Sequence, residues 1–233
     1  SEALRIILAE FAGAGYRVSW RLLNAHRLVP QKRVRLYIAG FRDDDAGRAA
    51  MAAFRWPDDA PCAGQGESLP TLRQVLEPAG AEWVERCALT PGQWEAMCAE
   101  AADCAKASAD NDGKPKGKRR GISARLFDLD GAAPTLISSY RHDHLTCRFV
   151  AEEADGTRRA TPRFLTPREC ARLMGFPERF GWPAPRARTG AAPGFAEGSI
   201  YRQMGNAVVP PVIEAIGARM LSALGIALPL SAR

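Results

Sequence analysis

The first forty residues contain two kinds of apolar pattern, one typical of a helix and one typical of strands. In LRIILAEF, residues 4–11, they recur every three or four positions, which is the spacing of one face of an α-helix. The stretches YRVSW and VRLYIAGF, at residues 16–20 and 34–41, are instead rich in β-branched and aromatic side chains, which favour strands. Residues 1–45 are therefore predicted to supply a helix and two strands to the edge of an α/β sheet.

Two glycines separate the helix from the first strand, in a string, FAGAG, that resembles a cofactor-binding glycine loop. Such a loop needs a strand before it, a helix after it and an acidic residue about 20 positions later. Here the order of helix and strand is reversed, and no Asp or Glu stands between Phe11 and Arg42. We therefore interpret Gly13 and Gly15 as the end of the first helix and the turn into the strand.

A threonine followed by proline marks two helix starts further along the chain. The string LTPGQWEAMCAEAADCAKA predicts a helix over about residues 91–106. In RFLTPRECARLMGF, Thr166 is an N-cap, Pro167 the first helical residue, and Glu169 the partner that completes a capping box. Gly175 is expected to end this second helix.

The C-terminal region predicts a turn and a longer helix. Gly205 and Asn206 are typical turn residues, and Pro210 suits the first turn of a helix. Helical spacing predicts that this helix buries Ile213, Ile216, Met220, Leu221 and Leu224.

The middle of the chain, residues 60–162, is predicted to form a small, mixed and mostly irregular domain. Residues 123–150 suggest a strand, an Asp-Gly turn, a strand, a loop and a strand. Before them, SADNDGKPKGKRRG at residues 108–121 has no apolar periodicity and many cations. Such a run is either a solvated loop or a set of phosphate contacts.

Composition and charge narrow the possible partners. The chain has 233 residues, 46% of them hydrophobic, and its formal charge of +6 favours an anionic partner. No apolar run is long enough to span a membrane, and the N-terminus does not resemble a signal peptide, so the expected location is the cytoplasm. The six cysteines have no metal-binding or disulfide spacing, and His142, His144 and Cys147 are not expected to bind a metal.

Three groups of motifs identify a family when they are taken in order. G-Y-x-V, L-N-A and V-P-Q-K-R-V-R, all within residues 15–35, resemble motifs VII and VIII of the DNA cytosine-5 methyltransferases. Residues 163–180, RFLTPRECARLMGFPERF, resemble motif IX, and residues 201–221, beginning YRQMGNAVVPP, resemble motif X. This resemblance implies methyl transfer from S-adenosylmethionine to C5 of a cytosine flipped out of duplex DNA, in a restriction-modification setting.

The same resemblance implies a fold and a domain order. Residues 1–59 would close the edge of a Rossmann-like, S-adenosylmethionine-dependent catalytic domain, and residues 60–162 would be the target-recognition domain. Residues 163–233 would carry the motif IX helix and return to the catalytic domain.

The resemblance also assigns roles to individual residues. Arg35 would hold O2 of the target cytosine, and Arg33 would bind phosphate or fix the active-site loop, with Gln31 completing the catalytic set. The cofactor would be contacted by Asn206, Ala207 and Val208. The expected contacts to DNA are Thr135, Ser139, Tyr140, Arg141, Lys118, Arg119 and Arg120.

Two family motifs that precede motif VIII are missing from this sequence. The nucleophile of the family lies in a Pro-Cys motif and a supporting glutamate in Glu-Asn-Val, and no Glu-Asn-Val occurs here. Pro61-Cys62 comes after motif VIII, beside two acids that would raise a thiol pKa, and is not expected to be the nucleophile. The partner would then be an upstream catalytic half, on a separate subunit or on the same longer chain.

An α/β half-sheet without its first strands should leave apolar surface uncovered, so the isolated chain is expected to be poorly soluble or dependent on a partner. Two other functions stay open at this point. One is methylation of tRNA by the same fold, and the other is DNA binding without catalysis.

Overall fold

The structure is a computed structural model, and it describes residues 2–57, 69–106, 122–141, 147–181 and 197–227. In chain order the elements are α1 (Glu2–Gly13), β1 (Tyr16–Asn24), β2 (Gln31–Lys32), β3 (Val34–Arg42), α2 (Asp45–Ala53), α3 (Glu82–Arg86), α4 (Pro91–Lys106), β4 (Ala133–Pro134), β5 (Val150–Glu152), β6 (Arg158–Arg163), α5 (Pro167–Leu173), α6 (Glu197–Asn206) and α7 (Pro210–Ala223). The fold is mixed α/β, with three two-stranded sheets in the described ranges. No helix in those ranges has the length and apolar character that crossing a membrane requires.

The chain divides into two compact units. The first unit contains residues 1–28, 33–69 and 208–233, and the second unit contains residues 29–32 and 70–207. The domain boundaries expected from the sequence, after residues 59 and 162, stay a prediction.

The first unit is built on the antiparallel pair β1 and β3. Their register runs without interruption from Tyr16 opposite Arg42 to Asn24 opposite Val34. The predicted helix and two strands are thus confirmed. The interpretation of the glycine pair is confirmed as well, because α1 ends at Gly13 and Gly15 adopts a φ of 80° in the turn.

The two faces of this hairpin differ sharply in burial. On one face Leu23, Ala39 and Phe41 are buried, and the Phe41, Phe54 and Trp56 rings pack edge to face, with successive centroids 5.9 and 5.1 Å apart. The opposite face stays exposed, and we call it the open face; it consists of Tyr16, Trp20, Leu22, Val34 and Leu36, each between 41% and 59% exposed.

The second unit is organised around a cluster of aromatic rings. Tyr140 packs on Phe164 and Tyr201 with centroid distances of 5.9 and 5.7 Å, and Phe149 packs on Phe164 at 5.1 Å. All four side chains are at most 5% exposed. Together they form the core against which α5 and α6 lie.

A buried ion pair lies beside this ring cluster. Arg163 donates from Nη1 and Nη2 to the two carboxylate oxygens of Glu169, both at 2.8 Å, and neither side chain is exposed. The same carboxylate accepts the Thr166 and Glu77 main-chain N–H groups at 2.8 Å. The capping box predicted at Thr166 is therefore confirmed, and Glu169 is also the only acid fully buried in the described part of the chain.

Other expectations about helices have mixed outcomes. The helix predicted over residues 91–106 is confirmed as α4, and Gly175 follows α5 with a φ of 78°. The turn predicted at Gly205 and Asn206 is wrong, because α6 continues through Asn206. Gly205 lies against the main chain of residues 137–138 instead of forming a turn.

Two further expectations are wrong in part. Residues 122–125 form a 3₁₀ turn instead of a strand, and the following residues make only an isolated bridge between Leu126 and Phe149. In α7 Ile216 is buried as predicted, but Val212 is the second buried residue, whereas Ile213 and Leu224 are each 44% exposed. The buried stripe of α7 is narrower than the run of apolar residues suggests.

Candidate functional site

Gln31 lies at 0% exposure in β2, and its side-chain amide connects three parts of the second unit. Its Nε2 donates to the Leu173 carbonyl at 3.1 Å and to Met174 Sδ at 3.3 Å, and its Oε1 accepts the Leu136 N–H at 2.9 Å. The parallel pairing of β2 with β4 places the amide between α5 and residue 136. Gln31 is therefore in a position to hold the backbone around it.

Arg33 and Arg35 flank the first residue of β3. Arg33 is 3% exposed, and Asn24 Oδ1 accepts its main-chain N–H at 3.1 Å while its carbonyl accepts the Ala25 N–H at 3.1 Å. Burial lowers the pKa of the Arg33 guanidinium below its ordinary value, and the nearby charge of Arg35 lowers it further. Arg35 is exposed, and its Nη1 donates to the Val34 carbonyl at 2.8 Å.

These two arginines thus differ in what they can do. The main chain of Arg33 is fixed by a polar side chain of the neighbouring strand, and its side chain is buried. Arg35 presents an always-charged, planar donor to the exterior. The sequence motif did not reveal Asn24 as the group that braces this segment, although its place at the end of β1 is a signal for a capping residue, and it does cap the 3₁₀ turn at Ala25–Arg27.

The predicted DNA-contacting segment, residues 135–141, packs mostly within the second unit. Thr135 Oγ1 donates to the Lys32 carbonyl at 2.8 Å, and Ser139 is half-buried. Tyr140 is 4% exposed, and its hydroxyl donates to the Arg148 carbonyl at 3.0 Å and accepts the Leu165 N–H at 2.9 Å. Burial raises the pKa of this phenol well above its ordinary value, so the hydroxyl keeps its proton.

Arg141 is held by aromatic rings. Its guanidinium carbon lies 5.5 Å from the Tyr201 ring centroid and 5.7 Å from that of Phe164, and its Nη1 donates to Tyr201 Oη at 3.3 Å. Its main-chain N–H also donates to Cys147 Sγ at 3.2 Å. In the described ranges Arg141 is the only residue other than glycine with a positive φ, 75°. Such a backbone conformation needs support from its surroundings, which these contacts give.

The residues predicted to contact the cofactor join α6 to α7. Asn206 is exposed, Ala207 is half-buried and Val208 is 57% exposed, whereas Val209 is fully buried. The boundary between the two units falls after Ala207.

Gly205 was predicted to be a turn residue, but its position in α6 has a different cause. A Cβ added to it would lie 2.4 Å from the Ile137 carbonyl carbon and 2.4 Å from the Ser138 nitrogen. Both atoms are main chain and cannot move aside as a flexible side chain would. The glycine is therefore required by the contact between α6 and residues 137–138, which no local sequence signal reveals.

The glycine pair at the end of α1 adjoins a shallow pocket lined by Ala14, Gly15, Tyr16, Arg42, Asp43 and Asp44. Its two carboxylates have partners: Asp43 Oδ1 accepts from Arg17 Nε at 2.8 Å and from Arg48 at 3.0 Å. Asp44 caps α2 through the Gly47 N–H. These contacts give both acids structural roles.

Several predicted residues lie outside the described residues. They are Lys118, Arg119 and Arg120 of the basic run, Cys62, and the histidines His142 and His144. Across the parts of the chain that are described, no group of three or more His, Cys, Asp or Glu side chains could hold a metal ion.

Comparison with known proteins gives a consistent result across the chain. The family model for the C-5 cytosine-specific DNA methylases matches residues 1–222. Type II methyltransferase M.NlaX of Neisseria lactamica is 29% identical over 222 residues, covering 95% of this chain and 58% of that protein. Type II methyltransferase M.DsaV of Dactylococcopsis salina is 30% identical over 94% of this chain and 52% of that protein.

The DNA-cytosine methyltransferase of Escherichia coli strain K12 is also 30% identical, over 92% of this chain and 45% of its own length. The chain thus spans about half the length of these relatives.

Solved structures show the same fold at low sequence identity. The Dnmt2 methyltransferase of S. pombe matches with a TM-score of 0.61 and 17% identity, over 97% of this chain and 64% of that one. The methyltransferase EhMeth of Entamoeba histolytica matches with a TM-score of 0.54 and 14% identity, over 95% of this chain and 58% of that one.

Proposed function

The chain belongs to the family of C-5 cytosine-specific DNA methylases, and from this premise we propose that it is the target-recognition and cofactor-closing part of a DNA (cytosine-5) methyltransferase. S-Adenosylmethionine would supply the methyl group, and C5 of a flipped-out cytosine in duplex DNA would receive it. The cysteine nucleophile and its supporting glutamate would come from residues outside this sequence. The absence of Glu-Asn-Val from the sequence supports this, and so does the chain's match to about half of each relative.

The observation that carries the proposal is the pair of arginines at the start of β3. Arg35 offers an exposed guanidinium, as a donor to the cytosine O2 must, and Arg33 is buried with its main chain bonded to Asn24. We assign Arg35 the contact to the base and Arg33 the fixing of the strand start. Gln31, whose amide bonds only within the second unit in this structure, is assigned a positioning role.

Cofactor binding is assigned to Asn206, Ala207 and Val208. The exposed Asn206 amide can hydrogen-bond to polar groups of S-adenosylmethionine, and the exposed Val208 side chain can cover an apolar part of it.

DNA contacts are assigned to Thr135 and Ser139, which keep exposed surface, and to the basic run containing Lys118, Arg119 and Arg120. The buried hydroxyl of Tyr140 and the ring-stacked guanidinium of Arg141 support a role in shaping this segment. Arg141 retains partial exposure that would allow a phosphate contact.

A partner polypeptide is also part of the proposal. The open face collects five large apolar side chains on one side of a two-stranded sheet, and this is more than a soluble surface usually leaves uncovered in one place. We assign it to the polypeptide that supplies the nucleophile and the remaining strands. Leu22 and Leu36, which face each other across the hairpin, would lie at the centre of that contact.

The first experiment tests Arg35 in the enzyme reconstituted with that partner. Arg35→Ala should lower the rate of methyl transfer on the order of 10²–10³-fold, because a charge-assisted donor to the reacting base is removed. Affinity for duplex DNA should change by less than about tenfold, because other cations contribute to phosphate binding. Turnover and a filter-binding Kd are the two measurements.

Arg42→Ala is the matched control, since Arg42 is an exposed arginine at the other end of β3 whose guanidinium lies 4.0 Å from Asp44. It should leave turnover within about twofold of the parent enzyme. Equal losses of turnover and binding in Arg35→Ala would refute the assignment to the base.

The substrate is tested with duplex DNA and tRNA offered to the same reconstituted enzyme. Methyl transfer to DNA supports the proposal, and transfer only to tRNA would replace it by RNA methylation. DNA binding without methyl transfer to either polymer would instead identify a non-catalytic module.

The partner assignment is tested by Leu22→Lys with Leu36→Lys, which places two charges on the open face. Co-purification with the partner should be lost, because charges would be buried in an apolar contact. Leu69→Lys, at an exposed leucine outside the open face, is the control. Unchanged co-purification of the double variant would remove the open face from the interface.

A further inference from the structure

The segment assigned to DNA and the helix that leads to the cofactor residues are in direct contact. Tyr201 and Gly205 lie four residues apart on α6 and therefore share one face of the helix. Gly205 packs on the main chain of Ile137 and Ser138, and Tyr201 accepts a hydrogen bond from Arg141. One face of α6 thus contacts the predicted DNA-contacting segment, residues 135–141, at two places: residues 137–138 and residue 141. We call residues 135–141 the recognition segment.

The contact is rigid as well as close. The Tyr201 hydroxyl donates to the Leu165 carbonyl at 2.8 Å, and the ring is fully buried between Tyr140 and the Arg141 guanidinium. At Gly205 the approach is so close that any Cβ would overlap main-chain atoms. A displacement of residues 137–141 must therefore either move α6 or break these contacts.

The next residues after this contact are the ones assigned to the cofactor. Asn206 is the last residue of α6, and the Ala207 N–H donates to the Met204 carbonyl at 3.2 Å, so both continue directly from Gly205. Met204 itself is buried at 3% exposure. The position of the Asn206 amide is consequently set by where α6 lies on the recognition segment.

We propose that Gly205 and Tyr201 are positioning residues that couple DNA binding at residues 135–141 to cofactor binding at residues 206–207. Binding of duplex DNA would fix residues 137–141, and through the close approach at Gly205 it would fix the end of α6 in the geometry that binds S-adenosylmethionine. By linkage, the cofactor would raise DNA affinity by the same factor. This inference rests on the proposed function, because it takes the assignments of both segments from it.

The experiment measures that coupling factor in the reconstituted enzyme. Equilibrium dialysis gives the Kd of radiolabelled S-adenosylhomocysteine with and without unmethylated plasmid DNA. The parent enzyme should bind it at least about fivefold more tightly in the presence of DNA, which is the lower end of usual allosteric coupling. Gly205→Ala should reduce this ratio to near one, while each ligand alone still binds.

Gly217→Ala is the matched control, because Gly217 is also helical but an added Cβ would have no atom within 4 Å. It should retain the coupling factor of the parent enzyme.

Tyr201→Phe is the second variant, since it keeps the ring but removes the hydroxyl bonded to Leu165 and Arg141. It should lower the coupling ratio at least about two- to threefold, because the hydrogen bonds to Leu165 and Arg141 are both lost. This variant tests the coupling even if Gly205→Ala does not fold.

The possible results separate this inference from the proposed function. If the parent enzyme binds both ligands with a ratio near one, or if Gly205→Ala and Tyr201→Phe keep the full ratio, the coupling is refuted and the proposed function stands. If the parent enzyme binds neither DNA nor S-adenosylhomocysteine, the proposed function fails, and the inference fails with it.

Discussion

The two compact units of this protein bury their side chains in different ways. The first unit packs one face of a hairpin with Leu23, Phe41 and their neighbours and leaves large apolar side chains on the other face exposed. The second unit has a buried ion pair, Arg163 with Glu169, beside its ring cluster, and the two tyrosines of that cluster are hydrogen-bonded to the main chain. The first unit thus leaves one apolar face exposed, whereas the second unit has polar side chains in its interior that bond to one another and to the main chain.

This difference indicates where each unit is sensitive to substitution. In the second unit a buried charge left without its partner is costly, because water cannot replace the lost contact. In the first unit sensitivity should depend on which face of the hairpin is changed. Four tests, with six substitutions in all, probe the comparison in order of decreasing effect.

Glu169→Gln should have the largest effect. It removes the carboxylate that Arg163 contacts through two hydrogen bonds and leaves only Glu153 Oε2, 3.6 Å from Nη2, beside the fully buried guanidinium. The loss should approach the roughly 3–5 kcal/mol that a broken buried ion pair typically costs. Denaturant unfolding followed by fluorescence of Trp83 and Trp94, both in the second unit, gives the change in free energy. A loss below about 1 kcal/mol would mean that the pair is not a structural centre of the second unit.

Leu23→Ala and Leu22→Ala form the second test, on neighbouring positions of β1. Leu23 is 6% exposed, so its truncation should cost about 2–5 kcal/mol. Leu22 is 59% exposed on the open face, and its truncation should cost less than about 0.5 kcal/mol. Equal costs in thermal unfolding would show that the open face is covered in the isolated chain.

Gly47→Ala and Gly92→Ala compare one helix from each unit. A Cβ on Gly47 would lie 1.9 Å from the Arg42 carbonyl oxygen, so we expect a loss of about 1–3 kcal/mol. A Cβ on Gly92 would meet nothing within 4 Å, and alanine there should stabilise by up to about 1 kcal/mol. Thermal melts of both variants and the parent chain show whether each substitution stabilises or destabilises the fold. A Gly47→Ala variant more stable than the parent would contradict the packing of α2.

Glu178→Gln should have the smallest effect and is the exposed counterpart of Glu169→Gln. The hydrogen bonds from Arg172 hold the pKa of the Glu178 carboxyl below its ordinary value of 4.5. The pair therefore stabilises the fold at neutral pH, and this contribution is lost as the pH falls through the lowered pKa. Because the Glu178 side chain is 64% exposed, the cost at pH 7 should be at most about 1 kcal/mol.

The pH dependence of this last variant provides its own control. The parent chain and Glu178→Gln should differ most in unfolding free energy at pH 7 and converge as the pH falls below the lowered pKa, where the carboxyl is protonated. A difference that stays constant with pH would assign the effect to packing instead of charge.

Sequence alone predicted the elements whose signals are local. The bounds of α4 and the capping box at Thr166 follow from a few adjacent residues, and the turn at Gly15 follows from a glycine placed where a helix must stop. The irregular pairing around Leu126 was not predictable, since its partner Phe149 is distant in sequence and the intervening strings contain turn residues.

The sequence motifs name candidate site residues, whose roles stay predictions, but they do not reveal the contacts that those residues make. The family motifs direct attention to Arg35 and Asn206, and both are exposed as a ligand-binding role requires. Nothing local distinguishes Tyr140, whose hydroxyl bonds inside the unit, from Ser139, which keeps some exposure. Gly205 resembles a turn glycine in sequence, and only the main chain of residues 137–138 explains it.

The amide of Gln31 has a consequence for how the protein is made. Its partners Leu136 and Leu173 follow it by 105 and 142 residues. At synthesis rates of about 5–20 residues per second, roughly 7–30 s pass on the ribosome before the last of them exists. Until then the Gln31 amide has neither partner and must remain hydrated, which keeps residues 29–32 outside any collapsed core. The second unit must therefore complete its folding late in translation, after the α5 region has emerged.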